Sequence, residues 1–122
     1  TLADGFDLTA AMSGATIFQS TNGATLDLPA VSGLAGVWYR FVFVGTPSHT
    51  FNIHPNGSEI IGGKIVDVAD GNVVQAANAG AGAASKMLQL DSGSQVGDRV
   101  TLVCTGSQWL IVDGLGSWAF ES

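Results

Sequence analysis

The two histidines of the chain, His49 and His54, lie in the stretch PSHTFNIHPNG and are the first candidates for metal binding. Two histidines on a regular β-strand share a face only when an even number of positions separates them, and these two are five apart. No further cysteine, histidine or carboxylate stands nearby at a ligand spacing. We therefore predict no metal site, with His49 in a loop and His54 at a strand end.

Nucleophilic and acid–base chemistry lacks a recognisable motif as well. The chain has no G-x-S-x-G sequence, and its single cysteine, Cys104, alternates with Val100 and Leu102, which indicates a core side chain. A glycosidase needs two carboxylates across a cleft, but five of the ten acidic residues here adjoin turns or strand ends, where aspartate normally bonds its own backbone. We expect no enzymatic activity and no cofactor. The aspartates in such positions are Asp27, Asp70, Asp91, Asp98 and Asp113.

The segment IIGGKI, residues 60–65, is the nearest approach to a phosphate-binding loop. A P-loop requires Ser or Thr after its lysine and a helix after that, whereas Ile65 and a strand pattern follow Lys64 here. The two glycines instead predict a β-bulge or a tight hairpin.

The chain has 122 residues, which fits one domain, and an unusually small share of them is charged. Charged residues make up 11% and hydrophobic residues 46% of the chain, whereas a disordered chain shows the reverse. Since a free monomer of this size needs a charged surface, we predict that copies of the chain or a partner cover much of it. A net charge of −6 and four scattered cations argue against nucleic acid, and no apolar run is long enough for a membrane span.

Short strand patterns separated by Gly, Pro, Asn and Asp dominate the chain and predict an all-β fold. We expect a single-domain antiparallel β-sandwich, jelly-roll-like, with Gly-rich turns. LTAAMSG predicts one helical turn, and the tract AANAGAGAAS predicts a loop. The predicted strands are Thr16–Gln19, Thr25–Leu28, Val37–Val44, Thr50–His54, Lys64–Val68, Lys86–Leu90, Val100–Cys104, Trp109–Val112 and Trp118–Phe120.

Two of these strands, Val37–Val44 and Trp109–Val112, are apolar on both faces. One face of each can pack into the core of the domain. The other face packs either against a further layer of the same chain or against a neighbouring molecule, and the sequence leaves both open. An exposed tryptophan platform for sugars is a third use of such apolar surface, for which Trp38, Trp109 and Trp118 are the candidates.

Several phrases, read together, resemble small structural proteins of tailed bacteriophages. The opening LTAAMSGATIFQSTNGATLDLPAVSGLAGVWYRFVFVG matches that pattern at Leu8–Gly14, Leu28-Pro29 and Gly33–Val44. A segment of the form xIIxGxIxV follows at Ile60–Val68, and GDxVxLxxxGxxWxVxG follows at Gly97–Gly114. The likeness spans nearly the whole chain from Leu8 onward.

The resemblance implies a capsid decoration, or cement, protein on the exterior of the virion. It implies binding to the major capsid protein, assembly into a homo-oligomer with a trimer favoured, and no catalytic residue. A tail fibre or tail spike module that binds a host receptor or glycan is the alternative. We expect an N-terminal arm over residues 1–8 that orders on contact with a partner, and a sandwich domain over residues 9–122. The expected interface residues are Leu2, Phe6, Leu8, Trp38, Trp109, Ile111, Trp118 and Phe120.

Overall fold

Alternating apolar and polar residues, separated by turns, form eleven short strands in the computed structural model, which describes residues 1–67, 72–76 and 87–120. Each strand places every second side chain on the same side of its sheet, and this period of two puts the apolar residues inside. The strands are β1 (Phe6–Asp7), β2 (Ala15–Gln19), β3 (Ala24–Asp27), β4 (Trp38–Phe43), β5 (Phe51–His54), β6 (Ile61–Asp67), β7 (Asn72–Ala76), β8 (Leu88–Leu90), β9 (Arg99–Cys104), β10 (Trp109–Leu115) and β11 (Trp118–Phe120).

The strands form two sheets that pack face to face, so the predicted all-β sandwich is confirmed. The five-stranded sheet has the order β1-β3-β5-β8-β11, and the six-stranded sheet has the order β2-β4-β9-β10-β6-β7. Among the described residues there is no α-helix, and therefore no helix that could span a membrane.

The sheets are mixed: five strand pairs run antiparallel, as predicted for the sandwich, and four run parallel. β1 with β3, β3 with β5, β2 with β4, and β6 with β10 run parallel. The first three follow from the path of the chain, because β1 to β5 alternate between the two sheets. Between two successive strands of one sheet, the chain crosses to the other sheet and back, and it reverses direction at each crossing. The second strand therefore runs parallel to the first.

Aromatic side chains fill the space between the sheets. Tyr39, Phe41 and Phe43 share one side of β4, as the alternation predicts, and this side points inward. Trp109 stacks on Tyr39 with ring centroids 5.6 Å apart. Cys104 is 1% exposed, which confirms it as a core side chain. Large aromatic side chains supply much of the apolar burial in a core, and here they come from both sheets.

The N-terminal segment lies against the sandwich of its own chain. β1 pairs with β3, and the Leu8 amide donates to the Asp27 carbonyl at 2.8 Å. The buried Gln19 side chain accepts from the Leu2 amide and donates to the Leu2 carbonyl, both at 2.9 Å. Residues 1–8 thus contact the sandwich domain of their own chain, and their ordering on contact with a partner stays a prediction.

Gly62 and Gly63 lie within β6, so the prediction of a tight hairpin there is wrong. The bulge lies on the neighbouring strand β10, where the register shifts between Ile111 and Asp113. Gly63 has a φ of +122°, and a Cβ at this position would lie 2.8 Å from the Ile111 carbonyl oxygen. Glycine is required there because the β10 backbone approaches too closely for a side chain.

The remaining predicted strands differ from the structure mainly at their ends. β6 begins earlier than predicted, at Ile61, and β10 continues to Leu115. β1 and β7 are not among the predicted strands. The predicted helical turn is a 3-10 turn over Ala10–Met12. Val68, Lys86 and most of the predicted loop AANAGAGAAS lie outside the described residues.

Candidate interaction surface

The solvent-facing side of the six-stranded sheet carries several exposed and half-buried apolar side chains, and we call it the outer face. Strand alternation places there the residues between the core positions of β2, β4, β9, β10 and β6. Phe18 is 55% exposed and Val112 is 56% exposed. The apolar side chains of the outer face are Phe18, Trp38, Val42, Val66, Val103, Leu110 and Val112.

The register across the sheet joins these side chains into rows. Phe18 pairs with Val42 across β2 and β4. Trp38 pairs with Val103 across β4 and β9, and Val103 pairs with Leu110 across β9 and β10. Trp38, Val42, Val103 and Leu110 are half-buried by one another, and no further layer of the described chain covers them. Among the described residues, the second apolar side of the Trp109–Val112 strand is therefore outside the core.

The outer face also carries every Lys and Arg of the described ranges. Arg40 and Lys64 are exposed, and the Arg40 Nε donates to the Thr101 hydroxyl at 3.2 Å. Arg99 forms an ion pair with Asp113 at 3.4 Å on the same face. The chain carries a net charge of −6, yet these side chains give the outer face an excess of positive charge.

The solvent-facing side of the five-stranded sheet is polar by contrast. Thr25, Asn52 and Gln89 form one row across β3, β5 and β8. Asp7 and Asp27 are paired in register across β1 and β3, at one end of this sheet. The two sides of the sandwich therefore differ in chemistry, one being apolar and cationic and the other polar and acidic.

Half of the residues that we predicted at an interface are buried in the core. Leu8, Trp109, Ile111 and Trp118 are at most 6% exposed in the single chain, so their side chains are not accessible to a partner. The register decides this outcome, because it places their side of each strand against the other sheet.

The other predicted interface residues retain some exposure but do not form one surface. Trp38 lies on the outer face. Leu2 and Phe120 are half-buried against the core, and Phe6 is 36% exposed on the short edge strand β1. Phe18 and Val112 are not among the predicted interface residues. Because Phe18 follows Ile17 and Val112 ends four apolar residues in succession, the period of two does not show which side of their strands is exposed.

Of the candidate catalytic and metal-binding groups, His54, Asp91 and Asp98 are held in local structural contacts, whereas the buried Nδ1 of His49 has no hydrogen-bond partner. His54 ends β5 as predicted, with its Nδ1 3.2 Å from Asp27. Asp91 accepts from the Ser92 amide at 2.6 Å, and Asp98 accepts from the Gln95 amide at 3.0 Å, as expected of turn aspartates. Within the described ranges no three His, Cys, Asp or Glu side chains gather in an arrangement that could hold a metal ion.

A cleft of about 550 Å³ opens between the turn at residues 93–98 and the segment 115–117. Asp98 is the carboxylate in its wall, and besides the Gln95 contact it lies 3.5 Å from the Ser117 amide nitrogen. Gly116 packs directly on this carboxylate, leaving no space for a Cβ. The carboxylate therefore closes a turn, and the cleft gathers no pair of groups suited to acid–base chemistry.

Within the described part of the chain, Tyr39 is a group whose pKa is clearly displaced. Burial raises the pKa of its phenol above the usual 10.0, and charge on the neighbouring Cys104 raises it further. The hydroxyl donates to the Thr9 carbonyl at 2.6 Å, which ties β4 to the start of the 3-10 turn. The neutral phenol is thus a structural hydrogen-bond donor.

None of the protein families, curated proteins or solved structures with which the chain was compared matches it.

Proposed function

We propose that this protein is a non-enzymatic structural protein of a phage virion, which decorates the capsid exterior and stabilises the shell by binding the major capsid protein. The resemblance of the sequence to small phage structural proteins motivates the proposal. The observation that carries it is the outer face, an apolar and cationic sheet surface on an otherwise acidic chain with few charges.

The outer face suits a broad protein surface better than a small ligand. Its exposed side chains are spread over a sheet, whereas small-molecule sites are concave and gather a few polar groups. Phe18, Trp38 and Val112 supply apolar area, and Arg40 and Lys64 supply charges that can pair with carboxylates on a partner. Aromatic residues and arginine are the types that most often dominate binding energy at protein interfaces.

The proposed mechanism is mechanical and thermodynamic. A protein that binds only the assembled shell stabilises that shell by mass action, in proportion to the logarithm of its free concentration over its dissociation constant. Contact with two neighbouring capsid subunits would also resist their separation under internal pressure. Copies of the chain are proposed to associate with one another.

The alternative is a tail module that binds a receptor or glycan, and the burial of the tryptophans argues against it. Trp109 and Trp118 are 0% and 3% exposed, so neither offers a ring face to a sugar. Trp38 is half-buried among the apolar residues of the outer face. The structure therefore provides no rim of exposed tryptophans in its described part, which is the feature that a glycan platform requires.

Co-sedimentation with empty, expanded shells of the source phage tests the proposal. We expect the chain to pellet with shells at saturable stoichiometry and to raise their melting temperature. Unexpanded shells and a second, unrelated phage shell are the controls. A chain that stays in the supernatant with expanded shells, and leaves their melting temperature unchanged, would contradict the proposed function.

A further inference from the structure

The open edges of the two sheets differ in how well they are protected from pairing with another strand. Proteins usually block an edge with charge, proline, a bulge or short length. In the five-stranded sheet, β1 is two residues long and carries Asp7, and β11 is three residues long. In the six-stranded sheet, the edge strand β7 borders residues outside the described ranges.

The edge strand β2, ATIFQ, has none of these protections. It spans five residues, contains no proline, and pairs with β4 in an unbroken register from Ala15 to Gln19. No charged residue occurs between Asp7 and Asp27, so the sequence on both sides of β2 is neutral too. Phe18, at 55% exposure, projects from this edge into solvent.

The N-terminal segment leaves most of this edge open. Leu2 contacts β2 through the Gln19 side chain, which is fully buried and points into the sandwich. The Thr1 hydroxyl accepts from the Ser20 amide, beyond the end of the strand. From Ala15 to Phe18, no strand of the described chain pairs with the side of β2 that faces away from β4.

We propose that β2 pairs with β2 of a second copy of this chain, in antiparallel orientation about a twofold axis. We choose a second copy of the chain as the partner of this edge. Two acidic chains repel each other over most of their surfaces, but they can approach without charge repulsion at an edge strand that carries no charge. The contact is isologous, so the same strand serves both partners and the assembly closes as a dimer.

Alternation of side chains fixes the register of this pair. For both cores to lie on the same side of the joined sheet, residues facing outward must oppose residues facing outward. Centring the pair on Ile17 satisfies this condition and uses the whole strand. Thr16 then opposes Phe18 of the second copy, and Ala15 opposes its Gln19.

The pairing has a consequence for the outer face. A twofold axis perpendicular to the sheet joins two six-stranded sheets into one of twelve strands. Both outer faces then point in the same direction, so the dimer presents twice the surface that we propose for shell binding. This twofold contact differs from the trimer that the resemblance favours, and the mass of the purified protein decides between them.

Sedimentation equilibrium of the purified chain tests the inference without any shell, so its outcome is independent of the proposed function. We expect twice the 12.4 kDa mass of the chain. Phe18→Lys places two like charges across the paired edges and is expected to weaken the dimer at least tenfold. Gln89→Lys, on the polar side of the other sheet, is the matched control and should leave the dimer unchanged.

A disulfide experiment tests the register. Thr16→Cys and Phe18→Cys chains, mixed and oxidised, should form a heterodimeric crosslink, because opposed residues lie within disulfide distance. Cys104, at 1% exposure, does not compete. A monomer at all concentrations, a trimer, or a Phe18→Lys chain that stays dimeric and folded by circular dichroism would overturn the inference, as would the absence of the crosslink.

Discussion

At the residue scale, Tyr39 shows how a side chain that chemistry could use is instead part of the core. It is the only tyrosine of the chain, and its neutral hydroxyl bonds the Thr9 carbonyl. Because its pKa is raised on folding, the folded state favours the neutral phenol more than the unfolded state does. The stability from this group is present below the unfolded pKa of about 10 and is lost as the pH rises.

Tyr39→Phe tests this account by denaturant unfolding at several pH values. Near neutral pH the variant should be less stable by about 1 kcal/mol, since it loses one hydrogen bond. Above the unfolded tyrosine pKa the wild-type chain should lose stability more steeply than the variant. Since no other tyrosine contributes, the ultraviolet titration of the folded chain should give a midpoint above 10.0. Parallel stability curves across this pH range would contradict the assignment.

Gln19 provides a second test at this scale, because its buried amide holds Leu2 through two hydrogen bonds. Gln19→Leu keeps the size of the side chain but removes both bonds, and we expect a loss of roughly 1–2 kcal/mol in the free energy of unfolding. Gln89→Leu is the matched control. Equal stability of the Gln19→Leu and wild-type chains would show that the N-terminal segment contributes little.

At the scale of strands, the sequence predicts which residues share a face, but neither which face lies in the core nor the neighbours of a strand. Alternation at Val37–Val44 correctly grouped Tyr39, Phe41 and Phe43 on one face, and only the packing of the two sheets makes that face the core. The parallel pairs could not be predicted, because whether consecutive strands share a sheet depends on long-range packing rather than local pattern. The Trp109 strand was ambiguous because four apolar residues in succession hide the period of two.

The contact between β6 and β10 yields a prediction at this scale. Gly63→Ala introduces a Cβ against the Ile111 backbone at a φ that only glycine tolerates well, so we expect destabilisation of roughly 2 kcal/mol or more. Gly62→Ala is the control, because its nearest neighbour is the Gln108 side chain at 3.4 Å. Thermal unfolding of both variants measures the difference. Equal melting temperatures would mean that the two strands can move apart without cost.

At the scale of the whole molecule, the low charge of the sequence predicted a covered surface without showing where it lies. The structure locates an apolar surface on one side of the sandwich, centred on β4, β9 and β10. Composition could not locate it, because the same residues are core or surface depending on register. The four predicted interface residues that proved to be buried illustrate that limit.

The affinity of two variants for expanded shells shows whether the shell contacts the outer face. Val112→Glu replaces an apolar side chain of the outer face by a negative charge. The variant therefore loses apolar contact area and partly neutralises the positive charge of this face. Gln89→Glu adds the same charge to the other side of the sandwich. We predict that Val112→Glu weakens shell binding by at least about tenfold, or 1.4 kcal/mol, and that Gln89→Glu binds like the wild-type chain. Binding that is lost in Gln89→Glu and kept in Val112→Glu would contradict the account, because the shell would then contact the polar side.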